Sequence, residues 1–254
     1  TKIRAAPTNT ASPAQSQLVL DSRGVMRSIV RRFARPGANS EVRQIKVGNF
    51  PIACAVSHDG GRLYVSNQLD NTVSVIDLNT LNPIDLIRVG REPAGMAISP
   101  DDIYLYVSNN KGDSVSVIDV NAGIETTKIS VGSRPDTIGI AENGRYVYVV
   151  NTFSNELSVI DISTQQEIAR IPDLSTFALV GVAAVREDAH GREIAYVVGN
   201  DGTMSVIEMP SQIVIRDIGL RAGGGEVEAI GYDSDVDKFY VLDSALELVT
   251  VLEK

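Results

Sequence analysis

The sequence predicts an all-β protein, a β-propeller of six four-stranded blades. Three observations predict it: a fixed internal repeat, short Val-, Ile- and Tyr-rich segments with no helical period, and turn residues recurring between them. Tyr64-Val65-Ser66-Asn67 returns as Tyr106-Val107-Ser108-Asn109 and as Tyr148-Val149-Val150-Asn151, two steps of 42 residues. Val73-Ser74-Val75-Ile76-Asp77, Val115-Ser116-Val117-Ile118-Asp119 and Leu157-Ser158-Val159-Ile160-Asp161 keep the same step. So do Val47-Gly48 with Pro51, Val89-Gly90 with Pro93, and Val131-Gly132 with Pro135. A four-stranded unit of ~42 residues cannot bury its faces alone and stacks on its neighbours, which is how propeller blades arise.

Within one unit the strands fall at about 52–57, 62–67, 72–77 and 84–89, here A to D. Turns such as His58-Asp59-Gly60-Gly61, Ser99-Pro100-Asp101-Asp102 and Glu142-Asn143-Gly144 separate A from B. Strands B and C mix alternation with near-continuous apolar runs, as expected of a sheet covered on both faces. B strands begin near residues 18, 63, 105, 147, 195 and 239, which sets six blades at approximately 8–47, 51–90, 93–132, 135–172, 178–219 and 226–254. The last blade lacks a D strand of its own. Thr1-Lys2-Ile3-Arg4-Ala5-Ala6-Pro7 echoes Leu86-Ile87-Arg88-Val89-Gly90 with Pro93, so residues 1–6 are expected to pair with the last blade and close the ring. Closure removes an edge that would invite aggregation. The start at Thr1 rather than Met is what processing or trimming would leave.

The unit resembles the YVTN-type β-propeller repeat, with its Ser-Pro-Asp-Gly turn, Tyr-Val-x-Asn strand, Val-Ser-Val-Ile-Asp strand and Val-Gly-x-x-Pro junction. Residues 47–161 match closely. The match weakens in Tyr196-Val197-Val198-Gly199-Asn200 with Met204-Ser205-Val206-Ile207-Glu208, and in Tyr240-Val241-Leu242-Asp243 with Leu248 to Leu252. It also reaches upstream to Leu18-Val19-Leu20-Asp21. The absence of Trp sets the chain apart from the WD40 version of this architecture. The resemblance implies an extracytoplasmic protein, periplasmic or at the cell surface. Family members commonly have seven blades, which makes a chain with a missing blade the alternative.

Composition is that of a globular protein: 254 residues, 43% apolar and 22% charged, with one Cys. At this length about 70 to 75% of the unfolded surface is buried, so no disulfide is needed. Cys54 sits in the apolar run Ile52-Ala53-Cys54-Ala55-Val56 and reads as a small core residue. No window approaches ~18 consecutive apolar residues, so no transmembrane segment is expected. The net charge of -9 is asymmetric: residues 1–46 hold nine basic and two acidic side chains, +7, against -16 for the rest. That split points to a partner contact on the basic part, with no nucleic-acid partner because the remainder is strongly acidic.

Two dispersed histidines, His58 and His190, and one Cys supply neither a zinc or copper ligand set nor a His-dependent triad, so no metal and no cofactor are expected. The repeated Asn67, Asn109 and Asn151 read as corner caps bonding backbone, and Asp77, Asp119 and Asp161 as C-to-D turn caps. Residues that differ between blades are more informative. At the D-to-A junctions, which rim a propeller's channel, Arg91, Arg134, Asp136, Phe177, Arg221, Glu226 and Glu228 form a mixed rim suited to peptide, protein or small-anion binding. Gly223-Gly224-Gly225 is no phosphate loop, since no helix follows. In blade one, Arg31, Arg32 and Arg35 surround Phe33 in a long C-to-D connection, 31–40, and with Arg27 offer a surface for an acidic protein or anionic lipid.

The expected function is a non-enzymatic protein-interaction or recognition scaffold, free or as a subunit of a larger extracytoplasmic assembly. The alternative is a lactonase-like hydrolase with a channel-mouth site using a divalent cation, for which Asp136 with Glu226 or Glu228 are the first candidates.

Overall fold

The computed structural model describes residues 17–20, 26–30 and 44–253, except 141–142, 173, 175–178, 188–192, 210, 212, 221–226, 234–237 and 244–247. Two units are distinguished, 1–45 and 46–254. In the first, β1 (Gln17–Leu20) pairs antiparallel with β2 (Met26–Val30), Leu18 opposite Ile29. Residues 1–6, expected to close a ring, lie outside the described residues.

The second unit is a run of antiparallel sheets, each a meander. They comprise β3 (Pro51–Val56), β4 (Arg62–Asn67), β5 (Thr72–Asp77) and β6 (Asn82–Arg88); β7 (Pro93–Ile98), β8 (Tyr104–Asn109), β9 (Ser114–Asp119) and β10 (Ile124–Ser130); and β11 (Pro135–Ile140), β12 (Tyr146–Asn151), β13 (Glu156–Asp161) and β14 (Gln166–Ile171). Next come β15 (Leu179–Glu187), β16 (Glu193–Gly199), β17 (Thr203–Met209) and β18 (Ile213–Gly219), then β19 (Val227–Asp233), β20 (Lys238–Asp243) and β21 (Leu248–Glu253). Among the described residues, four of these sheets have four strands and the last has three. The outermost strand of the first sheet starts at Asn82 rather than near residue 84, because Pro83 pairs across from Ile76.

The period of the turns explains the meander. In the first three sheets of this unit each A-to-B turn carries a left-handed residue, Gly60, Asp102 or Gly144, and each B-to-C corner another, Asn71, Asp113 or Asn155. Gly, Asn and Asp are the types that take this conformation most easily. The C-to-D turns put Leu81, Gly123 and Gln165 there, held by N–H bonds to the carbonyls of Asp77, Asp119 and Asp161 at 2.8 to 2.9 Å. The same aspartates cap their turns with Oδ1, which accepts the N–H of Asn79 and Thr80, of Asn121 and Ala122, and of Ser163 and Thr164. The Thr80 N–H, foremost, lowers the pKa of Asp77; the Ser163 hydroxyl, foremost, lowers that of Asp161.

The register shifts in every A-to-B pair and in every C-to-D pair of the four-stranded sheets, bulges that add twist. Twisted sheets stacked face to face leave four apolar layers between them. Tyr64, Val73 and Val75 meet Met96, Leu105 and Val107; Val115, Val117 and Ile129 meet Ile138, Val147 and Val149. The layers continue with Leu157 and Val159 against Ala195 and Val197, and with Met204 and Val198 against Val227 and Val241. Burying such side chains contributes roughly 1.5 to 3 kcal/mol each, which makes these layers the main cohesive term. Sheets are also tied by hydroxyls: Ser66 Oγ donates to the Ala94 carbonyl on the next sheet at 2.8 Å, and Ser108 Oγ to that of Asp136 at 2.5 Å.

Among the described residues no helix is long and apolar enough to cross a membrane.

Candidate functional site

The junctions between sheets and the B-to-C corners share one face, because the backbone laces them together. Phe50, Glu92 and Arg134 each precede a proline with φ of 54°, 51° and 52°. Their carbonyls accept the N–H of Gln68, Asn110 and Thr152 at 2.8 to 3.0 Å. The carbonyls of Asn49, Arg91 and Ser133 accept from Leu69, Lys111 and Phe153 at 3.2 to 3.3 Å. Two of the junctions are also pinned to the preceding sheet: Glu92 N donates to Asn71 Oδ1 at 2.8 Å and Arg134 N to Asp113 Oδ1 at 2.9 Å. Left-handed non-glycine residues carry about 1 to 3 kcal/mol of strain, and these bonds hold them in place.

Glycine at the start of the first three junctions is a packing requirement. A Cβ on Gly90 would stand 2.4 Å from Asn109 Cγ, and one on Gly48 or Gly132 would meet Asn67 or Asn151 as closely as 2.6 to 2.7 Å. These asparagines are fully buried. The expectation that they cap backbone holds for Asn67 and Asn151 in part and not for Asn109. Asn67 Nδ2 donates to Thr72 and Ser74 hydroxyls, Asn109 Nδ2 to Ser114 and Ser116, and Asn151 Nδ2 to Ser158. Only Asn67 Oδ1 takes a backbone N–H, that of Gly48, while Asn151 adds a bond to the Glu156 carbonyl. The Ser and Thr hydroxyls of strand C are the nearer partners because strand C runs beside B on the side of the corner.

Of the expected rim, Arg91 and Arg134 are exposed on this face, and Asp136 is half-buried on β11, the first strand of its sheet. Arg91 and Arg134 make no ion pair with Asp136. Burial pushes the pKa of Asp136 above the ordinary carboxylate value. Arg134 Cζ lies 5.6 Å from the centre of the Phe153 ring, a cation–π contact. Lys111 Nζ is 2.6 Å from Glu92 Oε1. Phe177, Arg221 and Glu226 lie outside the described residues, as do Arg31, Arg32, Phe33, Arg35 and His190. Glu228 falls on β19 and Arg27 on β2.

Sequence reading passed over the apolar corner residues. Phe50 is 54% exposed, Leu69 64% and Phe153 75%, all on this face. Leu69 and Phe153 occupy the corner position where the intervening unit has Lys111, and a large apolar residue at such a corner is the signal that marks them.

The opposite face holds His58, expected to be a solvated turn residue. It remains exposed but is tied between sheets: Asp102, left-handed where neighbouring repeats have glycine, accepts the His58 N–H at 2.8 Å and the Asp59 N–H at 3.1 Å. His58 Nδ1 is 2.9 Å from the same carboxylate. A second cross-sheet contact was not anticipated. Glu193, buried at the start of β16, accepts the Tyr148 hydroxyl and, at 2.9 Å, Asn143 Nδ2.

Cys54 is only partly shielded rather than a full core residue, yet burial raises its thiol to about 11, so it is protonated at neutral pH and a poor nucleophile. Among the described residues no three His, Cys, Asp or Glu side chains converge as a metal site requires.

Comparison with known families matches residues 35–130 to "Lactonase, 7-bladed beta-propeller". The chain is similar in structure to Kuenenia stuttgartiensis hydrazine synthase, with a TM-score of 0.67 and 25% sequence identity. That likeness covers 82% of this chain and 59% of that one, so the present chain spans less than two thirds of its structural relative. No curated protein matches. Sheets and comparisons agree on an all-β, propeller-like architecture of antiparallel four-stranded units.

Proposed function

We propose that this protein is a non-enzymatic interaction scaffold, a YVTN-type propeller working outside the cytoplasm alone or within a larger assembly. One observation carries the reading: the junction face presents exposed apolar and guanidinium groups on a backbone fixed by hydrogen bonds, while its half-buried Asp136 is perturbed by burial and by no charged neighbour. Hydrolysis needs at least a positioned base and a group that stabilises developing charge. Docking needs only a rigid, chemically mixed surface.

In this reading six blades form the ring, and residues 1–6 pair along β21 to complete the last sheet. Deleting residues 1–6 should lower the melting temperature and promote self-association through the open edge; an unchanged melting temperature and a monomeric deletion variant would remove that pairing. The basic segment of blade one steers an acidic partner. Replacing Arg31, Arg32 and Arg35 by Ser should weaken partner capture and flatten its salt dependence, and equal retention would move the contact elsewhere.

The family match over residues 35–130 favours a second reading, a lactonase-like hydrolase with a channel-mouth site that uses a divalent cation, Asp136 and Glu226 or Glu228 being its first candidates. Assay of a panel of lactones with and without calcium decides between the two. Calcium-dependent turnover that is lost in Asp136→Asn establishes the hydrolase. No turnover, with no calcium-induced rise in melting temperature, leaves the scaffold, since a ligand at ~100 times its Kd would add roughly 2.7 kcal/mol.

A further inference from the structure

Asn143 is the one asparagine of the chain that precedes a glycine. We propose that Asn143-Gly144 is a deamidation site whose conversion loosens the seam between the sheet of β11–β14 and that of β15–β18, because the amide nitrogen lost is the one that holds the buried Glu193. Glycine has no Cβ to shield its nitrogen, so Gly144 N can reach the side chain before it more easily than any other residue's nitrogen could. In the step a bond forms between Gly144 N and Asn143 Cγ, and the Cγ–Nδ2 bond breaks. Nδ2 leaves as ammonia with the proton given up by Gly144 N. Water then opens the cyclic imide at either carbonyl, leaving aspartate or isoaspartate at position 143. Asn143 is exposed, so water reaches it.

The partners of this amide identify its two ends. Oδ1 accepts the Arg145 N–H at 2.9 Å, and Nδ2 donates to Glu193 Oε2 at 2.9 Å. Glu193 is 8% exposed, and its other oxygen accepts the Tyr148 hydroxyl. The turn itself suits an acid: Asp59 and Asp101, at the matching positions of the two preceding units, accept the N–H of Gly61 at 2.8 Å and of Ile103 at 3.0 Å. Each also accepts a serine hydroxyl, Ser57 at 2.6 Å or Ser99 at 2.5 Å, whereas the third unit has Ala141 at the serine position. The exchange of acid for amide in the third unit therefore answers Glu193 and not the turn. Conversion puts a carboxylate oxygen where Nδ2 stood, and two carboxylates that close repel. It also takes a donor from a buried acid, which is costly. Isoaspartate lengthens the main chain by one carbon and breaks the Arg145 cap as well.

The test is to age the full chain at mildly alkaline pH, map the site by peptide mass spectrometry, and follow the melting temperature. Position 143 should convert before any other asparagine, with the mass gain of an amide-to-acid exchange and a mixture of aspartyl and isoaspartyl products. The melting temperature should fall in step with the converted fraction. Asn143→Asp should lower it by about 2 to 8 °C without ageing, and Asn143→Asp combined with Glu193→Gln should regain at least half of that, since an amide then faces the new acid. An intact Asn143 while other asparagines convert, or conversion with no fall in melting temperature, overturns the proposal. A double variant no more stable than Asn143→Asp overturns the role given to Glu193. If Asn143→Asp does not fold, the aged native chain supplies the same measurement.

Discussion

Strand C of the last sheet and strand C of the others carry the same pattern with opposite outcomes. Val73, Val115, Leu157 and Met204 occupy one register position and are buried, whereas their equivalent on β21, Val249, is 58% exposed. Two residues on, Val75, Val117, Val159 and Val206 are buried and Val251 is 46% exposed. Within each sheet the pairing is alike, since Val65 faces Ser74 as Val241 faces Thr250. What differs is the layer beyond. Val73 and Val75 are covered by the sheet that follows them, with Met96, Leu105 and Val107. A strand C residue therefore becomes core through its neighbouring sheet and not through its own.

The largest expected effect breaks that equivalence directly. Leu157→Ala should destabilise by about 2 to 5 kcal/mol, because Leu157 lies in the layer with Ala195 and Val197. Val249→Ala at the matching position should change stability by less than about 0.5 kcal/mol where that face is open, and by more where ring closure covers it. Urea midpoints measure both; similar shifts in the two variants would mean that Val249 is covered in solution.

A second pair sharpens the same comparison within the buried sheets. Tyr148 donates to Glu193, while the hydroxyl of Tyr106, one repeat earlier, is buried with no partner. Tyr148→Phe should destabilise by about 1 to 3 kcal/mol by stripping a donor from a buried carboxylate, and Tyr106→Phe should be neutral or stabilising. Equal losses in both would show that the Tyr106 hydroxyl is satisfied by water.

Smaller again is Asp136, which replaces the apolar Ile52 and Ala94 of the two preceding units at the same position. Its folded-state pKa is raised, so the protein binds its proton more tightly than the unfolded chain does. The penalty is absent below the ordinary carboxylate value, grows as pH rises from there through the folded-state pKa, and is complete above it. Asp136→Asn should therefore raise the melting temperature at pH 7 and leave it unchanged near pH 3. A variant less stable than the native chain at pH 7 would show that the carboxylate is held by a favourable charge.

Much of the architecture was legible because its causes are local. The repeated Asp77, Asp119 and Asp161 announced their turns, since each cap spans two or three residues. Arg91 and Arg134 were visible as departures from the repeat. Phe153 and Leu69 were not, because an apolar side chain at a corner reads like one in a strand until its exposure is known. Tyr148 and Glu193, 45 residues apart, could not be joined by any periodicity. The role of Asn67 was half-visible: its place at a corner was plain, but its bonds to Thr72 and Ser74 depend on how strand C lies beside it.

The sequence by itself determined the repeat length, the strands, the turn types and which residues share a face of each sheet, because a two-residue alternation and a short turn are decided by neighbours along the chain. Tertiary structure alone decided which of those faces is core, how hydroxyls and carboxylates pair from sheet to sheet, and which side chains stand on the junction face. Those outcomes are set by a partner about one repeat away. An identical Val in identical register is buried against the following sheet in one place and open to water in another.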